Sequence, residues 1–459
     1  MQINLIVVVV QTNNPYTLKR VAVFELALFS FENNYDNIST RGVFMKKLIS
    51  LLLVFIMILT LFGCTKTEIK SLEQYNNVNP KEMSLLTVKD GYIVNENGEK
   101  VVLKGVNLGN WLLWETWMGF VPEYTEDWAY YDTLQVFLER FGEEKTAEIV
   151  KTFEDNFITE NDIAQIEKLG FNCIRVPFWY RNFMTEDLEW LAENHNDNKG
   201  FQKLDWLIST CEKYGIYVML DLHGAPGGQS KNHCTGKAGR NELYENENMM
   251  NATVELWSAI AERYKDNKTV CAYDLLNEPQ NNGGYEGDYS WAAESEDAVS
   301  RTNKAYDTLY KAIRKIDKNH IISFEGVWST TVLPNPKEMG YENMLYQLHL
   351  YDSEKGMIRY RIDELKTARK DWGVAVVVGE YNNHECEEYA QKKYDKNDIS
   401  RIKWTYKTYN AGESWGIFNK DVVRIDIKTA SYEEILKFIK ENTKTESFNF
   451  NAEEMAILR

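Results

Sequence analysis

The sequence predicts a (β/α)8 TIM barrel: one domain built on a closed sheet of eight parallel strands, each followed by helix. Three observations predict it. Eight short apolar runs recur along residues 85–445 and alternate with helical patterns. The runs are apolar almost without a break, as strands covered on both faces are. Polar and aromatic residues gather just past the C-terminal ends of the runs, the end at which such a barrel holds its site. A doubly wound open sheet is the structural alternative, but no GxGxxG turn follows an early strand to support it. With 459 residues, 44% of them hydrophobic, the chain is ample for one such domain.

Taken in order, the N-terminal part reads as a leader. "MKKLISLLLVFIMILTLFGC", Met45 to Cys64, has a basic start at Lys46 and Lys47, an apolar core, and Gly63 before Cys64. That is the layout of an export signal. Leu61-Phe62-Gly63-Cys64 resembles a bacterial lipobox, so residues 45–64 are expected to be a lipoprotein signal peptide with Cys64 lipidated. The apolar core falls short of the roughly 20 residues of a spanning helix. A signal belongs at the start of a chain, so residues 1–44 read as an upstream extension, with translation beginning at Met45. Residues 65–84 are polar and read as a tether. The expectation is an exported protein held at the outer face of a bacterial cell membrane by its N-terminal lipid.

The domain opens with "VKDGYIVNENGEKVVLKGVN". Asp90-Gly91 and Asn97-Gly98 are turn signals, which predict a hairpin before the first core strand. The expected barrel strands are 101–107, 172–177, 216–222, 270–276, 321–325, 344–350, 374–379 and 400–405. Stretches such as "FQKLDWLISTCEKYG" and "SRTNKAYDTLYKAIRKID" have helical periodicity between them. A long insert, residues 119–156, is expected to form helices around the first loop, and "SYEEILKFIKEN" closes the last unit. Residues 446–459 read as a frayed tail. Apart from Cys64 five cysteines remain, without CxxC or zinc spacing, so no disulfide scaffold is implied.

The net charge is -17, which makes nucleic acid and acidic polymers poor partners. A neutral substrate suits better, and the abundant Trp and Tyr suit the C–H faces of a sugar. The strand ends supply Asn107, Asn110, Arg175, His223, Asn277, Glu278, Trp328, His349, Tyr351, Glu380 and Trp404. Two are carboxylic acids, Glu278 and Glu380, and paired carboxylates are what glycoside hydrolysis requires: one protonates the leaving oxygen, the other attacks the anomeric carbon. Arg175 would hold Glu380 ionised, Tyr351 would donate to the same carboxylate, and Asn277 would bind a sugar 2-hydroxyl. Metal-assisted hydrolysis is the alternative chemistry. It normally shows an HxH pair or a tight His/Asp cluster, whereas His223, His233, His349 and His384 are scattered. No metal or other cofactor is expected.

These residues resemble family 5 of the glycoside hydrolases, the large cellulase family with a (β/α)8 fold. The resemblance runs over about residues 85–440, through Arg175 in "NCIRVPF", His223 in "DLHGAPGG", Asn277-Glu278-Pro279, His349 and Tyr351 in "LHLYD", Glu380 in "VVVGEYN" and Trp404 in "WTYKTY". It implies retention by double displacement, with Glu278 as acid/base and Glu380 as nucleophile. "GVNLGNWLLWE" and "DLHGAPGGQ" are most similar to the exo-acting β-1,3-glucanase branch. That likeness implies that Glu115 contacts the terminal sugar, with Asn110 and Trp111 shaping the pocket. "NCIRVPFWYRNF" and "CTGKAGRNELYENE" depart from that branch and leave the linkage open. Trp415 in "SWGIFN" is a second candidate for the sugar platform beside Trp404. The expectation is a monomeric retaining hydrolase of β-glucans or gluco-oligosaccharides. An endo-β-1,4-glucanase, a mannanase and a non-catalytic glycan-binding lipoprotein are the alternatives.

Overall fold

The computed structural model describes residues 82–281, 295–409 and 415–458. The expected upstream extension 1–44, the signal segment 45–64 with Cys64, and the tether up to residue 81 lie outside the described residues. The hairpin is present, with β1 (Thr87–Lys89) and β2 (Tyr92–Val94) antiparallel. Eight strands then form the barrel: β3 (Lys104–Asn107), β4 (Cys173–Trp179), β5 (Tyr217–Gly224), β6 (Val270–Asp274), β7 (Ile321–Glu325), β8 (Met344–Leu350), β9 (Ala375–Tyr381) and β10 (Ser400–Lys403). They close in the order β10-β3-β4-β5-β6-β7-β8-β9, each parallel to its neighbours. All eight fall on the expected runs.

Strand alternation sorts the side chains into two cores. On β5, Val218, Leu220 and Leu222 face outward into the large cluster under the helices, while Met219 belongs to a smaller cluster inside the barrel. That inner cluster also takes Cys173, Cys271, Ile321, Leu345, Val377 and Ile402, so the barrel has an apolar floor. One step up the same inward columns stand Arg175, Asp221, Asp274, Ser323 and Gln347, all fully buried, and the mouth above them is polar. These columns therefore change from apolar to polar or charged within two or three residues.

One irregularity positions the site. Along β9, Ala375 and Val377 face inward, and strict alternation would turn Glu380 outward with Val376 and Val378. The pairing of β8 with β9 shifts between Leu348 and His349, so that Leu348 faces Val378 but His349 faces Glu380. Gly379 is the extra residue of this bulge, and Glu380 swings to the inside. Glycine suits the bulge: a Cβ at Gly379 would lie 1.8 Å from Gln347 Oε1, and the Gln347 side chain would have to move.

The helices have local reasons to start and stop. Lys199–Tyr214 begins where the Asn198 side chain accepts the Gly200 N–H, and ends at left-handed Gly215. Tyr432–Asn442 opens with a capping box between Ser431 and Glu434. The expected insert forms one long helical stretch, Tyr130–Phe157, broken at Gly142, where φ is 77°.

The C-terminal tail corrects the sequence expectation of fraying. Asn449–Phe450 pairs antiparallel with Phe418–Asn419, and the helix Ala452–Leu458 buries Met455 and Leu458. Glu454 reaches the fully buried Lys403 ammonium at 2.7 Å. A buried ammonium needs such a partner, so the tail completes the charge balance of β10. The cysteines Cys173, Cys211, Cys234, Cys271 and Cys386 are free thiols.

Candidate active site

Arg175 is the hub of the barrel mouth, with no exposed surface. Its Nε donates to Asp274 at 2.8 Å, one terminal nitrogen to Asn107 at 3.1 Å and to Glu380 at 2.7 Å, and the other to Asn277 at 2.8 Å. Asp221 lies 3.2 Å away. Burial opposes the guanidinium charge, but Asp221, Asp274, Glu380 and Glu325 outweigh it and hold Arg175 well above its ordinary pKa. Its fork therefore acts as a fixed ruler that sets four side chains at the ends of three strands.

Asn277 is oriented from both ends. Its oxygen accepts from Arg175, which leaves its NH2 group toward His223 Nε2 at 3.2 Å. Nε2 must then be the bare nitrogen of that ring, and Nδ1–H donates to Asp221 at 2.7 Å. Burial pushes His223 down to about 4, so the ring is neutral at working pH. Gln229 locks the turn by donating to the backbone oxygens of His223 and Asn277, each at 2.8 Å.

The two glutamates sit in different surroundings. Glu380 accepts on both oxygens, from Arg175 at 2.7 Å and from the Tyr351 hydroxyl at 2.6 Å. Glu278 has no lysine or arginine in contact among the described residues. Burial raises its pKa, partly offset by the fields of His223, Arg175 and His233. Its Oε1 is 2.8 Å from His349 Nδ1, and that same nitrogen is 3.4 Å from Glu380 Oε2. Carboxylate oxygens of Glu278 and Glu380 and the His349 nitrogen all lie within 4.8 Å of one another. That spacing matches a metal site in distance alone: both Glu380 oxygens already accept from Arg175 and Tyr351, and His349 Nδ1 is at hydrogen-bond distance from Glu278.

The structure brings together Asn277, Glu278, Arg175, His223, His349, Tyr351 and Glu380. Glu115 joins them: it is buried, its Oε2 accepts from Trp117 at 2.9 Å, and its pKa is pushed up to about 8 by burial and by the nearby Glu380 and Glu278. Asn110 acts one step back, accepting the Glu115 N–H at 2.8 Å. Trp111 is a correction. Its indole donates to Glu154 on the long helix and its ring meets Trp206, so it packs behind the site rather than lining it. Trp404 is only 3% exposed and lies parallel to the His223 ring at 5.6 Å. Trp415 is half-buried beside Tyr351, Trp117 and His384, and forms an aromatic wall above the glutamates. Trp328 sits half-buried after β7, its indole nitrogen without a hydrogen-bond partner among the described residues.

Sequence reasoning missed Asp221, Asp274 and Glu325. Each had a signal. Asp221 is two residues before His223 and shares its face, and Asp274 and Glu325 are acids inside apolar strands, where an unpaired charge is too costly to be idle. An apolar hollow of about 650 Å³ on the barrel flank, lined by Tyr130, Trp179 and Trp206 among others, contains none of the site residues.

The burial of these acids gives a stability prediction. Asp274, Asp221 and Glu115 are raised to about 6, 7 and 8, mainly by burial, against about 4 in the unfolded chain. The native state therefore holds more protons than the unfolded one until the pH passes those values, and stability falls as pH rises through that range. His223 and His349, lowered to about 4 and 3 by burial, act the other way, but only below about 6.5, where the unfolded imidazole charges. Between pH 6.5 and 7.5 the carboxyls dominate, and Lys407, lowered to about 8 by burial, begins to act the other way only at the upper end. Melting curves are expected to show a loss on the order of 1–2 kcal/mol over that interval, and Glu115→Gln should remove most of it.

Comparison with known proteins agrees with this geometry. The family model "Cellulase (glycosyl hydrolase family 5)" matches residues 139–413. A beta-xylosidase of Phanerodontia chrysosporium is 31% identical over 274 residues, 59% of this chain and 52% of that protein. A "probable glucan 1,3-beta-glucosidase A" of Aspergillus clavatus is 32% identical over 197 residues, 41% of this chain and 44% of that protein. The matches span about half the length of these curated relatives. The crystal structure of rutinosidase from Aspergillus niger aligns with a TM-score of 0.56 at 15% identity, covering 74% of this chain and 97% of that one, which is a likeness of fold.

Proposed function

Since this chain belongs to the cellulase family, glycosyl hydrolase family 5, we propose that it is a retaining hydrolase of β-glucosidic bonds in β-glucans or gluco-oligosaccharides. One observation supports this most: Glu278 and Glu380 bring carboxylate oxygens within 4.8 Å of each other. Retaining enzymes keep their carboxyls about 5–5.5 Å apart, whereas inverting ones leave about 6.5–9.5 Å for a water.

In this mechanism Glu380 attacks the anomeric carbon and forms a glycosyl-enzyme. Its bonds to Arg175 and Tyr351 fix the attacking oxygen. Glu278, raised by burial, gives its proton to the leaving oxygen and then takes one from the incoming water. The Asn277 NH2 group, fixed by Arg175 and His223, meets the sugar 2-hydroxyl as charge develops on the ring. Glu115 and the Trp117–Trp415 wall bound the bound sugar on one side, and the Arg424 guanidinium ties that wall down by donating to the carbonyls of Thr116 and Trp117. A wall at that end favours action at chain termini, as in a glucan 1,3-β-glucosidase. Endo-β-1,4-glucanase and mannanase action are the other readings. The proposal includes export and lipid anchoring through Cys64 and action as a monomer.

A panel of laminarin, lichenan, cello- and manno-oligosaccharides and aryl β-glucosides, with product analysis, tests all of these together. Release of β-glucose from laminarin ends is expected. Binding of β-glycans without turnover of any would replace the enzyme with a glycan-capture lipoprotein.

A further inference from the structure

Glu325 closes β7, is 1% exposed, and has two oxygens in different situations. Oε2 accepts the backbone N–H of Glu278 at 2.8 Å. Glu278 has a φ of 38°, in the left-handed region that a side-chain-bearing residue enters at a cost, so this acceptor holds a strained turn. Oε1 lies 3.4 Å from His349 Nε2, and neither atom has a hydrogen-bond partner among the described residues. The other nitrogen of that ring is the one set between Glu278 and Glu380.

Two bare acceptors would repel at this distance, so one of the two atoms holds a proton. The choices are an imidazolium against a carboxylate, a neutral ring with its proton on Nε2 against a carboxylate, or a neutral ring with its proton on Nδ1 against a neutral acid; the second would leave Nδ1 bare at 2.8 Å from Glu278 and keep a charge on buried Glu325. The groups facing Glu325 are Glu278, Asp274, Arg175 and His349, and its own backbone N–H and C=O are both occupied by the Tyr306 hydroxyl. Those facing His349 are Glu278, Glu380, Glu325, Arg175 and His223. Arg175 is the one fixed cation among them, and several acids already share it. Burial, with Glu278 nearby, drives Glu325 well up, and burial drives His349 down to about 3. Both shifts favour the neutral pair.

We propose that Glu325 is a positioning residue: a carboxylic acid whose Oε1–H faces His349 Nε2 and so commits His349 to holding its own proton on Nδ1. The inference rests on Glu278 being the acid/base. It then also says where the acid's proton sits. Oε1 of Glu278 accepts the Nδ1–H bond, which leaves Oε2 as the protonated oxygen, and Gln280 approaches that atom at 3.5 Å. After proton delivery, Nδ1–H remains in place to stabilise the new carboxylate.

Three measurements on the full-length protein test this. Glutamine reproduces the neutral acid, with an N–H for His349 and a C=O for the Glu278 N–H, whereas alanine supplies neither. Glu325→Ala is expected to lower kcat about 10–100-fold, the usual cost of losing an outer partner, with KM changed less than about 3-fold. Glu325→Gln is expected to rescue most of that loss and keep the pH profile. Nitrogen-15 spectra of the histidine side chains should show His349 protonated on Nδ1 alone in wild type and the Gln variant, and not in the Ala variant. A Gln variant as impaired as Ala, or a His349 ring protonated on Nε2 near pH 6, would overturn the proposal. The spectra need no turnover, so they decide this point even when no β-glycan is cleaved, a result that would count against the functional reading alone.

Discussion

Glu380→Ala is expected to abolish turnover of every β-glycoside, with a fall on the order of 10⁶-fold in kcat, the scale on which losing a covalent nucleophile acts. Every feature around this carboxyl serves its placement. The bulge at Gly379 brings it inside, and Arg175 and Tyr351 hold one oxygen each, at 2.7 and 2.6 Å. Alanine leaves both donors facing an empty space, so a stability loss of about 1–3 kcal/mol should accompany the lost activity. Arg175 keeps Asp274 and Asp221 as partners, so the barrel should still fold. The decisive assay uses an activated aryl β-glucoside with added azide. Azide entering the vacated space attacks from the nucleophile's side and displaces the leaving group in one step, giving a glycosyl azide of inverted configuration. Substantial activity without azide would remove Glu380 from the nucleophile's role.

The eight barrel strands were legible because burial on both faces leaves a nearly pure apolar run, and each run matched a strand to within a few residues. The bulge was not legible. Nothing in "VVVGEYN" says which way Glu380 turns, and the answer lies in the register between β8 and β9, which shifts between Leu348 and His349. Most of the cluster of site residues followed from strand ends, and Glu115 from the family resemblance. The acids one layer deeper did not, because Asp221 and Asp274 act through Arg175 and His223 rather than on substrate. Trp111 reads like its aromatic neighbours in sequence, and only packing against the long helix separates it from Trp117. The tail was misread for a similar reason. A two-residue strand and a seven-residue helix have little local propensity, and what fixes them is distant in sequence: the pairing with Phe418–Asn419, the burial of Met455 and Leu458, and the Lys403 ammonium.

Glu278→Ala should separate substrates by leaving group, and this separation is what distinguishes an acid/base from a nucleophile. Glu278 acts twice, giving a proton to the departing oxygen and later taking one from water. A sugar or alkoxide leaving group needs the first transfer, so kcat/KM on a β-glucan should fall about 10²–10⁴-fold. A dinitrophenolate leaves without a proton, so kcat/KM on that glucoside should stay within about 10-fold of wild type. Its kcat should nevertheless fall, because the glycosyl-enzyme on Glu380 waits for a water that nothing activates. A burst of dinitrophenol followed by a slow steady state is the expected trace. Azide, which needs no base, should restore kcat and give a glycosyl azide of retained configuration, the opposite of the Glu380 variant. Equal losses on activated and unactivated substrates, with no burst, would mean that Glu278 does not move the proton, and the raised carboxyl beside it, Glu115, would be the next to test by the same assay.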